Sequence, residues 1–121
     1  MCGIVGYVGT KEAGPILIEG LRRLEYRGYD SAGLTVISPE GRLCTVKEAG
    51  KLAELESILE EGMPPGTCGI AHTRWATHGA PNRLNAHPHW SQGRDIALVH
   101  NGIIENADVI RSKLSALGYV F

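Results

Sequence analysis

No apolar run in this sequence approaches the ~20 consecutive residues that a membrane-spanning helix needs. The amino terminus lacks a basic segment followed by an apolar stretch, so no secretory signal is visible. An excess of one charge is missing too. Twelve Lys and Arg against 13 Asp and Glu leave a net charge of -1, which gives nucleic acid no basic surface to bind. Cysteine is scarce: Cys2, Cys44 and Cys68 are odd in number and follow no framework spacing. That favours a reducing compartment, with thiols buried or chemically used, over disulfides. No internal repeat, low-complexity tract or interdomain linker divides the chain. These absences lead to the expectation of a cytoplasmic domain with no membrane and no nucleic-acid partner.

What is present is ordinary in bulk and unusual in detail. With 121 residues, 43% hydrophobic and 21% charged, the chain reads as one domain. A chain of this size buries roughly two-thirds of the surface it exposes when unfolded. GIVGYV (3–8) reads as a buried strand and AGPILIEGLRRLE (13–25) as a helix, with Pro15 in its first turn and Leu17, Leu21 and Leu24 on one face. YRGYDSAG (26–33) reads as a polar loop. LTVIS (34–38) and LCTVKE (43–48) form a hairpin across Pro39-Glu40-Gly41. LAELESILEE (52–61) is an amphipathic helix with Leu52, Leu55, Ile58 and Leu59 inward, ended by Gly62 and Pro64-Pro65. A strand (67–73) then runs into a polar segment, 74–93, without apolar period; a loop of that length is usually functional. A strand at 95–102 precedes a last helix, capped by Asn106 and stopped by Gly118, with Val109, Ile110, Leu114 and Leu117 inward. GYVF (118–121) reads as the start of one more strand, as in a longer protein. The pattern β-α-β-β-α-β-β-α-β implies a mixed or antiparallel sheet with helices stacked on it.

Four polar clusters fall in loops or at strand ends: Cys2, Arg27 to Ser31, His72 to His78 and His100 to Asn106. Cys2 is either a small core residue or a nucleophile. Because cysteine is small, an aminopeptidase normally removes the methionine before it. The mature residue then carries a thiol and an α-amine of ordinary pKa ~7.7–8.0, so one residue supplies nucleophile and base. His72, His78, His87, His89 and Cys68 lie within 22 residues, but their spacing repeats no zinc pattern and no carboxylate lies between them. Loop-stabilising hydrogen bonds suit most of these histidines better than a metal, and no metal or other cofactor is expected. Arg74 is either a surface cation or a fork for a carboxylate. Asn101-Gly102 is either a turn or an oxyanion hole made of an amide side chain and a backbone N–H.

Five motifs stand in a telling order: MCGIVGYVG, LEYRGYDSAG (24–33), GIAHTRWATHG (69–79), NAHPH (85–89) and VHNGIIEN (99–106). Together they resemble the glutaminase domain of class II glutamine amidotransferases, which are N-terminal-nucleophile hydrolases. Single motifs of this kind are weak evidence; five in order are strong. The forms HTRWATHG and HNGIIEN are most similar to members that aminate fructose 6-phosphate.

The resemblance implies an α+β fold, a four-layer α/β/β/α sandwich of antiparallel sheets, incomplete at the C-terminus. Residues 1–121 would be the N-terminal part of the glutaminase domain, with the sugar isomerase domains absent. It implies Cys2 as nucleophile, with its α-amine as base, and Asn101 and Gly102 as the oxyanion hole. Arg74 would bind the α-carboxylate of L-glutamine, with Trp75, Thr77 and His78 lining the pocket and Arg27 ordering the site. The family's acidic residue for the glutamine α-amino group falls just past the position of Phe121. The implied partners are L-glutamine and, through the absent isomerase domain, fructose 6-phosphate, in a homodimer. A stand-alone amide hydrolase and a non-catalytic histidine-rich metal or interaction module stay open as alternatives.

Overall fold

Alternating β-branched residues and glycine-marked turns organise the chain around one antiparallel sheet. A computed structural model describes residues 2–27, 30–75 and 79–121, with Arg27 described by its backbone alone. Strand β1 (Gly3–Val8) leads to helix α1 (Ala13–Leu24) and a 3-10 turn (Glu25–Arg27). Strands β2 (Ser31–Ile37) and β3 (Leu43–Ala49) form the hairpin, followed by helix α2 (Leu52–Glu60) and strand β4 (Cys68–Arg74). The short strands β5 (His89–Trp90) and β6 (Ala97–Leu98) precede helix α3 (Ala107–Ala116). The four long strands pair in the order β1-β4-β2-β3, antiparallel throughout, and β5 pairs with β6 in a second antiparallel sheet. The architecture is an α+β sandwich.

Register decides what each face of the sheet does. Leu34 lies opposite Ala71 in β4 and Val46 in β3, and Val36 opposite Gly69 and Cys44. Ala32, Leu34, Val36 and Ala71 join Leu17, Ile18 and Leu21 of α1 and Leu52, Leu55 and Leu59 of α2 in the core. Side chains alternate across a strand, so Gly33, Thr35, His72 and Arg74 take the other face, toward the second sheet. Leu17, Leu21, Leu34, Leu52 and Leu55 are fully buried, each worth about 2–5 kcal/mol if cut to alanine. The amino end of α1 is tied to the chain before β4: Ala13 N–H donates to the Gly66 carbonyl, and Gly66 N–H donates to Glu12 Oε2.

Several expectations shift. The loop expected at 26–33 gives way to β2 from Ser31, because β2 lies between β3 and β4 and that ladder includes even its polar first residue. The strand expected at 95–102 is only Ala97–Leu98, and the long polar segment contributes β5 to pair with it. Ile58 falls off the buried stripe of α2 and is 37% exposed. Asn106 stands at the start of α3 but its side chain makes no capping bond. Gly118 does stop that helix, in a Schellman arrangement: its N–H donates to Ser115 and that of Tyr119 to Leu114. Tyr119–Phe121 form no strand. Val109, Ile110 and Leu117 were expected inward, yet α3 has no buried residue. It stands beyond the second sheet across an open cavity of ≈ 720 Å³ lined by residues including His89, Leu98, Ile104, Ala107 and Arg111. Periodicity shows which side of a helix is apolar, not what covers it. No helix among the described residues is long and apolar enough to cross a membrane.

One glycine is where the two sheets meet. A Cβ on Gly33 would collide with the carbonyl oxygen of His87 and stand 2.6 Å from Lys47 Cβ. The chain at 86–88 therefore rides directly on β2, held there by Lys47 Nζ, which donates to the carbonyls of Ala86 (2.9 Å) and Pro88 (3.2 Å). Gly33→Ala is expected to destabilise the protein by about 1–3 kcal/mol, the usual cost of overpacking. A denaturation midpoint lowered at unchanged m-value would show it; an unchanged midpoint would mean that the 86–88 segment moves away freely.

Candidate active site

The β1–β4 ladder brings the first residues of the chain to the site. Gly3 lies opposite Thr73, so the next residue out, Cys2, comes alongside Arg74 at the end of β4. The contact is direct: Trp75 N–H donates to Cys2 Sγ at 3.4 Å, and Sγ lies 3.8 Å from the Trp75 carbonyl oxygen. Gly3 packs closely here: a Cβ would stand 2.6 Å from Leu24 Cδ1 and 3.1 Å from Thr73 Oγ1, so the Leu24 side chain would have to shift. Arg74 is 9% exposed, its carbonyl accepts from Asp30 N–H at 2.7 Å, and its Nη1 donates to the Ala80 carbonyl at 3.3 Å. A buried guanidinium fixed from behind by backbone is set up to present planar donors to an anion.

A cleft of ≈ 230 Å³ opens over this corner, lined by Cys2, Arg74, Trp75 and, from the far side, His87, His100, Gly102 and Ile103. Gly102 closes in without a side chain; a Cβ there would stand 3.1 Å from the His100 ring. Asn101 does not line the cleft, but its Oδ1 lies 2.7 Å from His72 Nε2, which ties the 100–102 segment to the middle of β4. A second tie comes from His100 N–H, which donates to His87 Nδ1 at 3.4 Å.

Three histidines form a column behind the cleft. His72 and His87 stack at 4.2 Å with their planes 23° apart, and His87 meets His89 at 4.4 Å in a tilted pair. Stacked rings turn their faces, not their nitrogens, toward each other, so the column serves packing and hydrogen bonding. Burial, first, and then the charges of His72, His89, Arg74 and Lys47 hold His87 down to about 3. His72 is lowered by burial, against the bond to Asn101, and further by Arg74 and His89; His89 is lowered by burial, Lys47 and Arg74. Burial and then Arg83 lower Lys47.

The sign of the linkage follows. His87 is neutral in the folded protein where the unfolded chain, with an ordinary pKa near 6.5, takes up a proton. Its stabilising effect is complete above about 6.5 and is lost as pH falls from there toward about 3. In His87→Phe, the slope of stability against pH in that window should flatten by about one proton. An unchanged slope would refute the neutral, buried imidazole.

Of the residues singled out from sequence, Cys2, Arg74, Trp75 and Gly102 share one cleft, and Asn101 is held next to it. Thr77 and His78 lie outside the described residues, as does the side chain of Arg27. His72 and His87 make stabilising hydrogen bonds of the kind the sequence reading expected of most of these histidines, while Lys47 carries a structural job that it did not assign. For His72 a signal existed: in the strand pattern it stands two residues before Arg74, hence on the same face.

Known proteins match this chain over its whole length. The chain is 60% identical to a glutamine–fructose-6-phosphate aminotransferase (isomerizing) of Bacteroides thetaiotaomicron, and 59% to that of Pseudomonas putida, over 121 residues in each case. A third, from Chlorobaculum tepidum, is 53% identical over 124 aligned residues. Each match covers the whole of this chain and 20% of the relative, so the chain spans about one fifth of their length. Among solved structures, the glutamine phosphoribosylpyrophosphate amidotransferase from B. subtilis, complexed with ADP and GMP, matches with a TM-score of 0.80 at 30% identity. A structure described as the allosteric regulatory enzyme of purine biosynthesis matches with a TM-score of 0.83 at 30% identity. Both matches cover 100% of this chain and 26% of the other. No family model matches.

Proposed function

The chain belongs to the class II glutamine amidotransferases, and from that premise we propose that it hydrolyses the side-chain amide of glutamine with Cys2 as the nucleophile. The observation that carries the proposal is the meeting of a thiol, a buried guanidinium and a glycine N–H in one cleft. Removal of Met1 frees the Cys2 α-amine, which takes the thiol proton through a water in transit and leaves a thiolate. Sulfur attacks the side-chain carbonyl carbon, and the carbonyl electrons move to oxygen. The N–H of Gly102 and the Nδ2 group of Asn101 receive that oxyanion; losing one such donor typically costs ~10²–10³ in rate. The C–N bond then breaks, the α-ammonium returns its proton to the leaving nitrogen, and ammonia departs. Water hydrolyses the γ-glutamyl thioester to glutamate and regenerates the thiol. Arg74 fixes the substrate α-carboxylate, flanked by Trp75; the family resemblance adds Thr77, His78 and Arg27 to the residues that serve substrate binding.

The ammonia would serve amination of fructose 6-phosphate to glucosamine 6-phosphate, as the names of the relatives suggest, with residues 1–121 acting as the N-terminal part of the glutaminase domain in a cytoplasmic homodimer. Labelling with the glutamine analogue diazo-oxo-norleucine tests the reaction. One equivalent should attach to Cys2, and excess glutamine should slow it. Attachment at Cys44 or Cys68 instead would overturn the assignment.

A further inference from the structure

We propose that His72 is the positioning residue for the oxyanion donor Asn101: as the Nε2–H tautomer it donates to Asn101 Oδ1 and so reserves Nδ2 for the reacting oxygen. The inference rests on the reading of Asn101 as an oxyanion donor and adds what aims it.

An asparagine amide next to an imidazole can be held in two ways. If His72 carries its proton on Nε2, it donates to Oδ1, and the Asn101 NH₂ group points elsewhere. If the proton is on Nδ1, Nε2 accepts from the NH₂ group, and the amide is turned so that oxygen faces the substrate. The second arrangement would set a carbonyl against an oxyanion. What selects between them is the other ring nitrogen. His72 is 0% exposed, and its Nδ1 is buried with no hydrogen-bond partner among the described residues. An orphaned N–H in the interior is rarer and costlier than an orphaned lone pair, so the proton belongs on Nε2. The 2.7 Å separation from Asn101 Oδ1 is a good donor–acceptor distance.

The ring itself is held still. His72 lies on the middle strand of its side of the sheet, flanked by Ile4 in β1 and Gly33 in β2, with its face against His87 at 4.2 Å. His87 in turn accepts from His100 N–H, so the segment carrying Asn101 and Gly102 is pinned from two neighbouring imidazoles. His87 stacked on the ring, Arg74 on the same strand and His89 on β5 are the charged or titratable groups around His72, and Arg74 and His89 both disfavour a second proton on it. The uncharged ring donates a single hydrogen bond, in one direction.

The test is a kinetic cycle in the intact protein with glutamine hydrolysis as readout. His72→Phe keeps the stacking area and removes the donor; kcat should fall about 10- to 100-fold, as for a small misplacement of a catalytic group, with KM for glutamine within about twofold of wild type. His72→Gln, whose amide can still donate, should recover much of that loss. On an Asn101→Ala background, His72→Phe should cost almost nothing further, because its effect runs through Asn101. Full additivity of the two losses would overturn the proposal and leave His72 a merely structural residue. If Asn101→Ala itself hydrolyses glutamine at the wild-type rate, the oxyanion reading fails first, and separately. Should His72→Phe not fold, ¹⁵N NMR of the histidine ring in the unaltered protein decides: an Nε2–H tautomer supports the assignment, and Nδ1–H refutes it.

Discussion

Cys2→Ala is expected to abolish glutamine hydrolysis, lowering kcat roughly 10⁴-fold or more while the protein stays folded. The size follows from what is left behind. Without sulfur there is no covalent intermediate, and Gly102, Asn101 and Arg74 can only orient glutamine beside water. The fold should hardly notice. Cys2 sits just before β1, and its contacts include the N–H and carbonyl of Trp75, both weak as sulfur partners. A stability change within about 1 kcal/mol is expected, measured from the denaturation midpoint. Cys2→Ser sharpens the point, since its hydroxyl is far less acidic than a thiol and the same amine must activate it; it should be close to inactive too. Retained activity in Cys2→Ala, with the sequence confirmed by mass, would remove the thioester from the mechanism. Glutamine binding separates the two functions of the cleft. Affinity should persist in Cys2→Ala, because the proposed mechanism gives the α-carboxylate to Arg74 and not to the thiol.

Much of this was legible because local rules and tertiary structure agree here. The Leu17–Leu21 spacing points to one buried face, and α1 buries it, whereas Gly3–Val8, read as a buried strand, is an edge strand with Ile4 46% and Val8 83% exposed and only Val5 and Tyr7 packed against the core. The hairpin at Pro39–Gly41 forms as its turn residues require, with Gly41 at φ +82. What sequence could not show is contact made across the sheet. Ser31 looked like loop because it is polar, and it is buried in β2 because two neighbouring strands claim its backbone. Lys47 reads as a solvent-facing strand residue, yet its Nζ is turned inward to two carbonyls and lies 4.4 Å from the Trp90 ring centroid. The apolar stripe of α3 was visible, but its burial was not something periodicity could supply. For the site, residue types were informative and pairings were not. Cys2, Arg74 and Gly102 could be named singly; their meeting in one cleft depends on the register Gly3–Thr73, which no local pattern encodes. The histidines show the same limit in part: hydrogen bonds were expected of them and His72 and His87 make them, but their stacking into a column was not legible from sequence.

An uncleaved amino-terminal extension should silence the enzyme about as deeply as a missing general base does, by ~10²–10⁴-fold, although every side chain of the cleft remains. The argument turns on which group can accept the thiol proton near neutral pH. A free α-amine with an ordinary pKa of ~7.7–8.0 is well matched to the task, whereas an amide nitrogen is not basic at all. The imidazoles behind the cleft are poor substitutes: His87 is held down to about 3 and already accepts a bond from His100 N–H, and burial lowers His72 as well. Burial thus leaves the chain's own first amine as the base of the proposed mechanism, in which removal of Met1 is a step in building the site. The experiment compares protein carrying one extra, non-removable residue before Cys2 with fully processed protein, each verified by intact mass. Iodoacetamide, which needs no oxyanion hole, should still alkylate Cys2 in the extended form, showing a thiol that is present and reachable. Hydrolysis should scale with the processed fraction in mixtures of the two. Full activity in the extended form would move the base to a side chain, and His100, the remaining imidazole described on the cleft wall, would be the residue to replace.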